Sequence, residues 1–361
     1  MGRKGNRVAV ILFNLGGPDS IRSVEPFLFN LFQDPAIISI PQPFRWLLAK
    51  LISIKRAPIA RRFYGELDGK SPLLANTEAQ AKALGQLLLS NVDKFDHVRC
   101  FVAMRYWHPF VEETAELVKA WMPDELILLP LYPQFSTTTT LSSLIVWREV
   151  ADRCGMELRT KTICCYPVEP GFISALAVST RNALREASVV GPPRILFSAH
   201  GLPKRVVDTG DPYQWQVEQT AAAIVDEISV RDLDWIVCYQ SRVGRLEWIK
   251  PYLTNELQRA ARDDVPVVIV PLAFVSEHSE TLVELDIELR EFAEGIGVPG
   301  YFRVPTVSTC NEFIQGLGGL VQNARMSSKN FLGGGCPSVV EDRYCPEQLN
   351  CCADWKYRIS N

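Results

Sequence analysis

Arg194-Ile195-Leu196-Phe197-Ser198-Ala199-His200-Gly201-Leu202-Pro203 is the stretch on which the reading of this chain turns. Its apolar run is unbroken and too short for a helix, and it stops at small and polar residues. That pattern describes a strand, Arg194–Ser198, covered on both faces, as in a parallel sheet. A close echo stands near the start of the chain, Leu12-Phe13-Asn14-Leu15-Gly16-Gly17-Pro18. A second pair follows the same logic: Leu128-Leu129-Pro130-Leu131-Tyr132-Pro133-Gln134-Phe135-Ser136 resembles Val268-Ile269-Val270-Pro271-Leu272-Ala273-Phe274-Val275-Ser276. Two halves built on one plan are implied.

Outward from these strands, further runs at Val8–Asn14, Val98–Met104, Glu125–Leu131, Leu158–Cys165, Trp235–Gln240, Val265–Val275 and Tyr301–Val304 read as strands. Helical periodicity falls between them at Thr77–Leu89, Pro109–Trp121, Gln214–Ile228 and Glu280–Ala293. Strands alternating with helices predict an α/β protein with doubly wound parallel sheets, in two domains facing a central cleft. The expected division is 1–166, 167–325 and a cysteine-rich extension over 326–361, with the C-terminal segment crossing back.

With 361 residues, 47% hydrophobic and 22% charged, the chain suits two globular domains. A net charge of −3 with scattered Lys and Arg excludes a nucleic-acid binder. No apolar run approaches the ~20 residues of a membrane span, and Val8–Leu15 reads as a strand rather than a signal peptide, so a cytoplasmic location is expected. Of ten cysteines, Cys100, Cys154, Cys164, Cys165, Cys238 and Cys310 are spread along the chain, several in apolar runs. Cys336, Cys345, Cys351 and Cys352 crowd the tail. In a reducing compartment such crowding points to metal or cluster binding more than to disulfides.

The chemistry concentrates in Ser276-Glu277-His278-Ser279-Glu280-Thr281-Leu282-Val283-Glu284-Leu285-Asp286-Ile287-Glu288. At helical spacing Glu277, Glu280, Glu284, Glu288 and Glu291 share one face, and Leu282, Leu285, Leu289, Phe292 and Ile296 share the other. No Lys or Arg lies within the stretch, so the acidic face reads as unpaired: solvated, or visited by a cation. Of only four histidines, His200 and His278 follow the carboxyl ends of strands, where open α/β sheets build their sites. An insertion over 30–72 carries Phe44, Leu47, Leu48, Leu51 and Ile52 at helical spacing, flanked by Arg45, Lys50, Lys55 and Arg56. It is either a helix packed on its own domain or a greasy lip, Phe44–Ile52, for an apolar ligand or for peripheral contact with an inner-membrane surface.

The segments Asn14–Pro18, Met104–Pro109, Tyr132–Ser136, Ser198–Pro203, Tyr239–Gly244 and Phe274–Glu288 occur jointly and in order, and through them the chain resembles the ferrochelatases. The resemblance implies two Rossmann-like domains of the class II chelatase kind. It also implies insertion of ferrous iron into a porphyrin, the terminal step of haem formation, with loss of two pyrrole protons. His200 and Glu280 match the family's site histidine and paired glutamate and are the expected metal-contacting pair. Glu284 and Glu288 match further carboxylates on the same helix, which in the family contains a π-type widening. Leu15, Tyr64 and Arg105 match positions that approach the macrocycle, and Tyr132 and Ser136 are expected porphyrin contacts. The chemistry agrees: deprotonating a pyrrole near neutral pH calls for histidine, and Fe²⁺ accepts imidazole and carboxylate. Protoporphyrin IX is the expected substrate, with coproporphyrin III, a cobaltochelatase activity and a non-enzymatic haem or metal carrier as alternatives, in a monomer or homodimer. Some relatives hold a [2Fe–2S] cluster on cysteines. The internal ligand of the animal-type pattern matches Thr137 here and is missing, so a cluster would draw on Cys336, Cys345, Cys351 and Cys352, with Cys310 as substitute.

Overall fold

The computed structural model describes residues 6–90, 95–242, 244, 246–326, 345, 346 and 348–351. Two compact units divide them, one built on Met1–Cys165 and rejoined from Leu317, the other on Tyr166–Gly316 with Cys345–Cys351.

The first unit runs β1 (Arg7–Asn14), α1 (Val24–Gln33), α2 (Phe44–Gly65), α3 (Leu73–Ser90), β2 (His97–Met104), α4 (Val111–Trp121), β3 (Glu125–Pro130), α5 (Ser142–Arg153) and β4 (Arg159–Thr162). Its sheet is parallel in the order β2-β1-β3-β4. Val8 to Phe13 are all buried, which accounts for the uninterrupted apolar reading. Beneath one face Phe13 meets Trp147 edge-on at 5.7 Å, among Ile11, Phe101, Val118 and Leu128.

The second unit runs α6 (Pro170–Ala187), β5 (Arg194–His200), α7 (Lys204–Asp208), α8 (Tyr213–Ile228), β6 (Asp234–Gln240), α9 (Leu253–Asp263), β7 (Val267–Pro271), α10 (Ser279–Leu282), α11 (Leu289–Gly295) and β8 (Tyr301–Arg303). The strand order β6-β5-β7-β8, again parallel, repeats that of the first unit. The echo between Leu12–Pro18 and Leu196–Pro203 thus marks the central strand of each sheet. A last helix, α12 (Asn311–Met326), begins in the second unit and ends in the first.

All eight expected strands are present, four of them (β3, β4, β7 and β8) shorter than expected. β7 stops at Pro271, four residues before Val275, because Pro271 brings no N–H to continue the ladder. The expected helix Glu280–Ala293 is broken: α10 gives way to a π turn at Glu284–Glu288 before α11 resumes. One carboxylate of the acidic face is paired, contrary to expectation: Arg303 on β8 binds Glu277 at 2.6 Å, and it also binds Asp286, off that face, at 2.5 Å.

α2 packs on its neighbours through small residues, Ala49, Ser53 and Ala57, spaced one turn apart. That geometry turns the large apolar side chains outward: Phe44 is 67% exposed, Leu47 54% and Leu51 59%. The Phe44–Ile52 stripe is therefore not core. Among the described residues no helix is long and apolar enough to cross a membrane.

Candidate active site

In the second unit β5, β6 and β7 end side by side, and the residues just past those ends converge. His200 closes β5, and its backbone oxygen accepts a hydrogen bond from the hydroxyl of Tyr213 at 3.0 Å. Gly201 follows because the chain must pass close: a Cβ there would stand 3.0 Å from the Gln240 carbonyl oxygen and 3.1 Å from the Trp248 ring. The Nδ1 of His200 lies 2.6 Å from the carbonyl oxygen of Gly201. A carbonyl only accepts, so Nδ1 carries the hydrogen and Nε2 of the neutral ring is left with its lone pair. That Nε2 faces Glu280 Oε1 at 3.6 Å.

The other oxygen of the same carboxylate, Oε2, lies 3.4 Å from Nε2 of His278. One carboxylate is therefore flanked by two imidazoles. His278 is buried against Phe274, ring centroids 4.7 Å apart, and its backbone N–H donates to Thr281 Oγ1 at 2.9 Å, starting α10. The Nδ1 of His278 has no hydrogen-bond partner among the described residues, although it is buried. Unsatisfied buried polar atoms are costly and cluster where a ligand or ion belongs. His278 is absent from the residues expected at the site, although the sequence places it beyond a strand end, two residues before Glu280.

Burial works to raise the carboxyl of Glu280, but the adjacent His200 and His278 outweigh it and hold the group down at about 2. The carboxyl of Glu284 moves the other way, raised by burial and by the charge of Glu280. Three donors hold it in place: Gln240 Nε2 at 3.0 Å, the backbone N–H of Ser241 at 2.8 Å and the Ser241 hydroxyl. Gln240 also receives the Ser198 hydroxyl at 2.6 Å and donates to the Glu280 carbonyl oxygen at 3.0 Å, tying the ends of β5 and β6 to α10. Glu288 lies exposed at the far end of the π turn, its carboxyl raised by partial burial and by Glu291. Two neighbouring carboxylates pushed in opposite directions are the arrangement expected of an acid–base relay.

The other expected site residues lie in the first unit. Arg105 joins a buried cluster in which Oδ2 of Asp34 accepts from Arg105 at 2.9 Å, Tyr106 at 2.8 Å and Ser142 at 2.5 Å. Tyr64 is buried near the end of α2, and Tyr132 is buried beyond β3, where loss of water raises its phenol. Ser136 is fully buried and caps a π turn, Thr137–Leu141, by accepting from the Thr138 N–H at 3.1 Å. Leu15 is partly exposed, its N–H donating to the Asn14 side chain at 2.9 Å. Asp34 lies within the insertion over 30–72, and nothing in its local sequence singles it out.

Among the tail cysteines, Cys336 and Cys352 lie outside the described residues. Cys345 and Cys351 are buried in the second unit, with Cys345 Sγ 3.1 Å from Nε2 of Gln216 and the Cys351 thiol donating to the Thr209 carbonyl at 3.0 Å. Among the described residues no group of three or more His, Cys, Asp or Glu is arranged to hold a metal ion.

Two parallel sheets of identical strand order, interleaved with helices, define an α/β protein of two Rossmann-like units. The fold matches SirB from Bacillus subtilis, solved with Fe³⁺, at a TM-score of 0.51 and 10% identity over 90% of this chain and 97% of that one. The ferrochelatase family model matches residues 7–325, and the chain belongs to the ferrochelatase family. A ferrochelatase of Wolbachia sp. subsp. Drosophila simulans (strain wRi) is 51% identical over 315 residues, covering 87% of this chain and 98% of the relative. The ferrochelatases of Caulobacter vibrioides (strain NA1000 / CB15N) and Pelagibacter ubique (strain HTCC1062) are 49% and 44% identical over 91% and 97% of this chain. The chain is thus an enzyme that inserts ferrous iron into a porphyrin for haem synthesis.

Proposed function

We propose that the porphyrin is protoporphyrin IX and that His200, Glu280 and His278 form the iron-insertion centre, with His200 as the base. The supporting observation is the single carboxylate between two imidazoles, with the buried Nδ1 of His278 left unpartnered. A pyrrole N–H gives its proton to the lone pair of His200 Nε2. The imidazolium so formed is stabilised by Glu280, which is ionised throughout the neutral range. Glu284, whose carboxyl holds a proton more readily, takes the proton next, and exposed Glu288 returns it to water. Ferrous iron, the other substrate, meets the pair His200 and Glu280, one nitrogen and one carboxylate donor with no thiolate, a set from which it can leave.

Preference for protoporphyrin draws on the exposed apolar side chains of α2, which suit a hydrophobic macrocycle and a lipid surface next to Lys50, Lys55 and Arg56. The same face would bring a cytoplasmic enzyme into peripheral contact with the membrane. Anaerobic assays with Fe²⁺ and each porphyrin test this reading. Higher kcat/KM for protoporphyrin IX is expected, and faster turnover of coproporphyrin III overturns it. A tail [2Fe–2S] cluster is supported only by the number of cysteines, and the two described thiols are already engaged with protein groups. Protein carrying it would be reddish when purified anaerobically and bleach with dithionite; colourless, iron-free, fully active protein removes it.

A further inference from the structure

The π turn that carries Glu284 and Glu288 is held from the side by β8, a strand of three residues. The Tyr301 hydroxyl donates to the Leu285 carbonyl at 2.8 Å. Arg290 donates to the Tyr301 carbonyl at 2.9 Å and to that of Asp286 at 3.2 Å. Arg303, whose side chain is only 11% exposed, grips Asp286 with Nε and Nη2 at 2.7 and 2.5 Å. Its remaining nitrogen, Nη1, donates to Glu277 Oε1 at 2.6 Å, and the same oxygen accepts from the Thr306 N–H at 2.9 Å. One guanidinium therefore binds the residue just before His278 and the residue two after Glu284.

In a straight α-helix Glu277 and Asp286 would stand roughly 13 Å apart along the axis, at about 1.5 Å per residue. Capture of both by one planar fork selects the bent arrangement, in which His278 is extended (φ −159°) and the turn after Val283 is widened. Without that fork the wide turn is free to tighten to an ordinary α turn. Tightening by one residue changes the angular register by about 100°, which carries Glu284 away from Gln240 and Ser241.

We propose that Arg303 is a positioning residue for iron insertion: by clasping Glu277 and Asp286 it sets the spacing of His278, Glu280 and Glu284 without touching substrate. This rests on the reading of His200, Glu280 and His278 as the insertion centre. Lys supplies a point charge but no fork, so Arg303→Lys is the direct test. It should lower kcat by about tenfold or more, as sub-ångström misplacement of catalytic groups does, while porphyrin KM moves less than about twofold. A triple variant, Arg303→Met with Glu277→Gln and Asp286→Asn, removes the buried charges together. It should melt near the wild-type temperature yet show the same low kcat, which separates positioning from stability and decides the matter if Arg303→Lys fails to fold. Wild-type kcat in either folded variant overturns the proposal. His200→Ala run alongside distinguishes the two failures: an active His200→Ala enzyme overturns the site reading and the clasp with it, whereas inactive His200→Ala beside fully active Arg303→Lys overturns the clasp alone.

Discussion

Replacing Glu280 by Gln preserves shape and removes the charge on which both imidazoles converge. At separations of 3.4 and 3.6 Å each charged imidazole would attract the carboxylate by about 5 kcal/mol at an effective dielectric near 20. Desolvation takes back much of this. The net is read from the carboxyl itself, held at about 2 against an ordinary 4.5, which corresponds to roughly 3 kcal/mol. Shared between two partners, about half of that stabilises the imidazolium that forms on His200 as a pyrrole proton arrives. Loss of ~1.5 to 3 kcal/mol from the barrier-lowering interaction predicts a kcat about 10- to 100-fold lower. Because the interaction develops with the transferred proton, porphyrin KM should change by less than about threefold. The assay is initial-rate haem formation under anaerobic conditions across a porphyrin titration. A Glu280→Gln enzyme that keeps more than half of its kcat, or that loses only porphyrin affinity, refutes the placement of Glu280 at the reacting centre.

His200→Ala should remain folded, since the side chain is a third exposed, and should lose more than about 90% of kcat, some 1.4 kcal/mol of barrier; greater residual activity removes His200 as the base. Replacing Leu47, Leu48 and Leu51 together by Ser should cost little stability, within about 0.5 kcal/mol per exposed site, yet raise KM for protoporphyrin and reduce recovery with lipid vesicles. A steep fall in Tm would return the α2 stripe to the core. Folding stability should also respond to Glu280 in acid. A carboxyl that titrates near 4.5 in the unfolded chain and at about 2 in the folded one contributes stability that is complete above about 4.5 and is lost as pH falls toward 2. Urea midpoints measured across that window should drop in the wild type and drop less in Glu280→Gln; parallel curves would show that the carboxylate is not held by its imidazoles.

Much of this molecule was legible in the chain. Ile195–Phe197 and Val8–Phe13 are apolar without interruption because helices cover both faces of their sheets, and burial on two sides leaves no place for alternation. Parallel sheets, the repeated plan and His200 at a strand end follow from that pattern alone. What it could not reveal is which groups meet across gaps in sequence. Glu277 and Asp286 read as unpaired because their cation, Arg303, arrives from an edge strand beyond α11. Asp34 reads as one residue of an insertion because its partners, Arg105, Tyr106 and Ser142, come from β2's end and α5. The outward orientation of Leu47 and Leu51 depends on Ala49, Ser53 and Ala57 taking the contact, and periodicity identifies an apolar stripe without saying which face is covered. Local pattern determines strand, helix and fold class because those depend on period and burial. The widened turn, the clasp on it and the carboxylate between two histidines depend on tertiary contacts, which decide where each buried charge finds its partner.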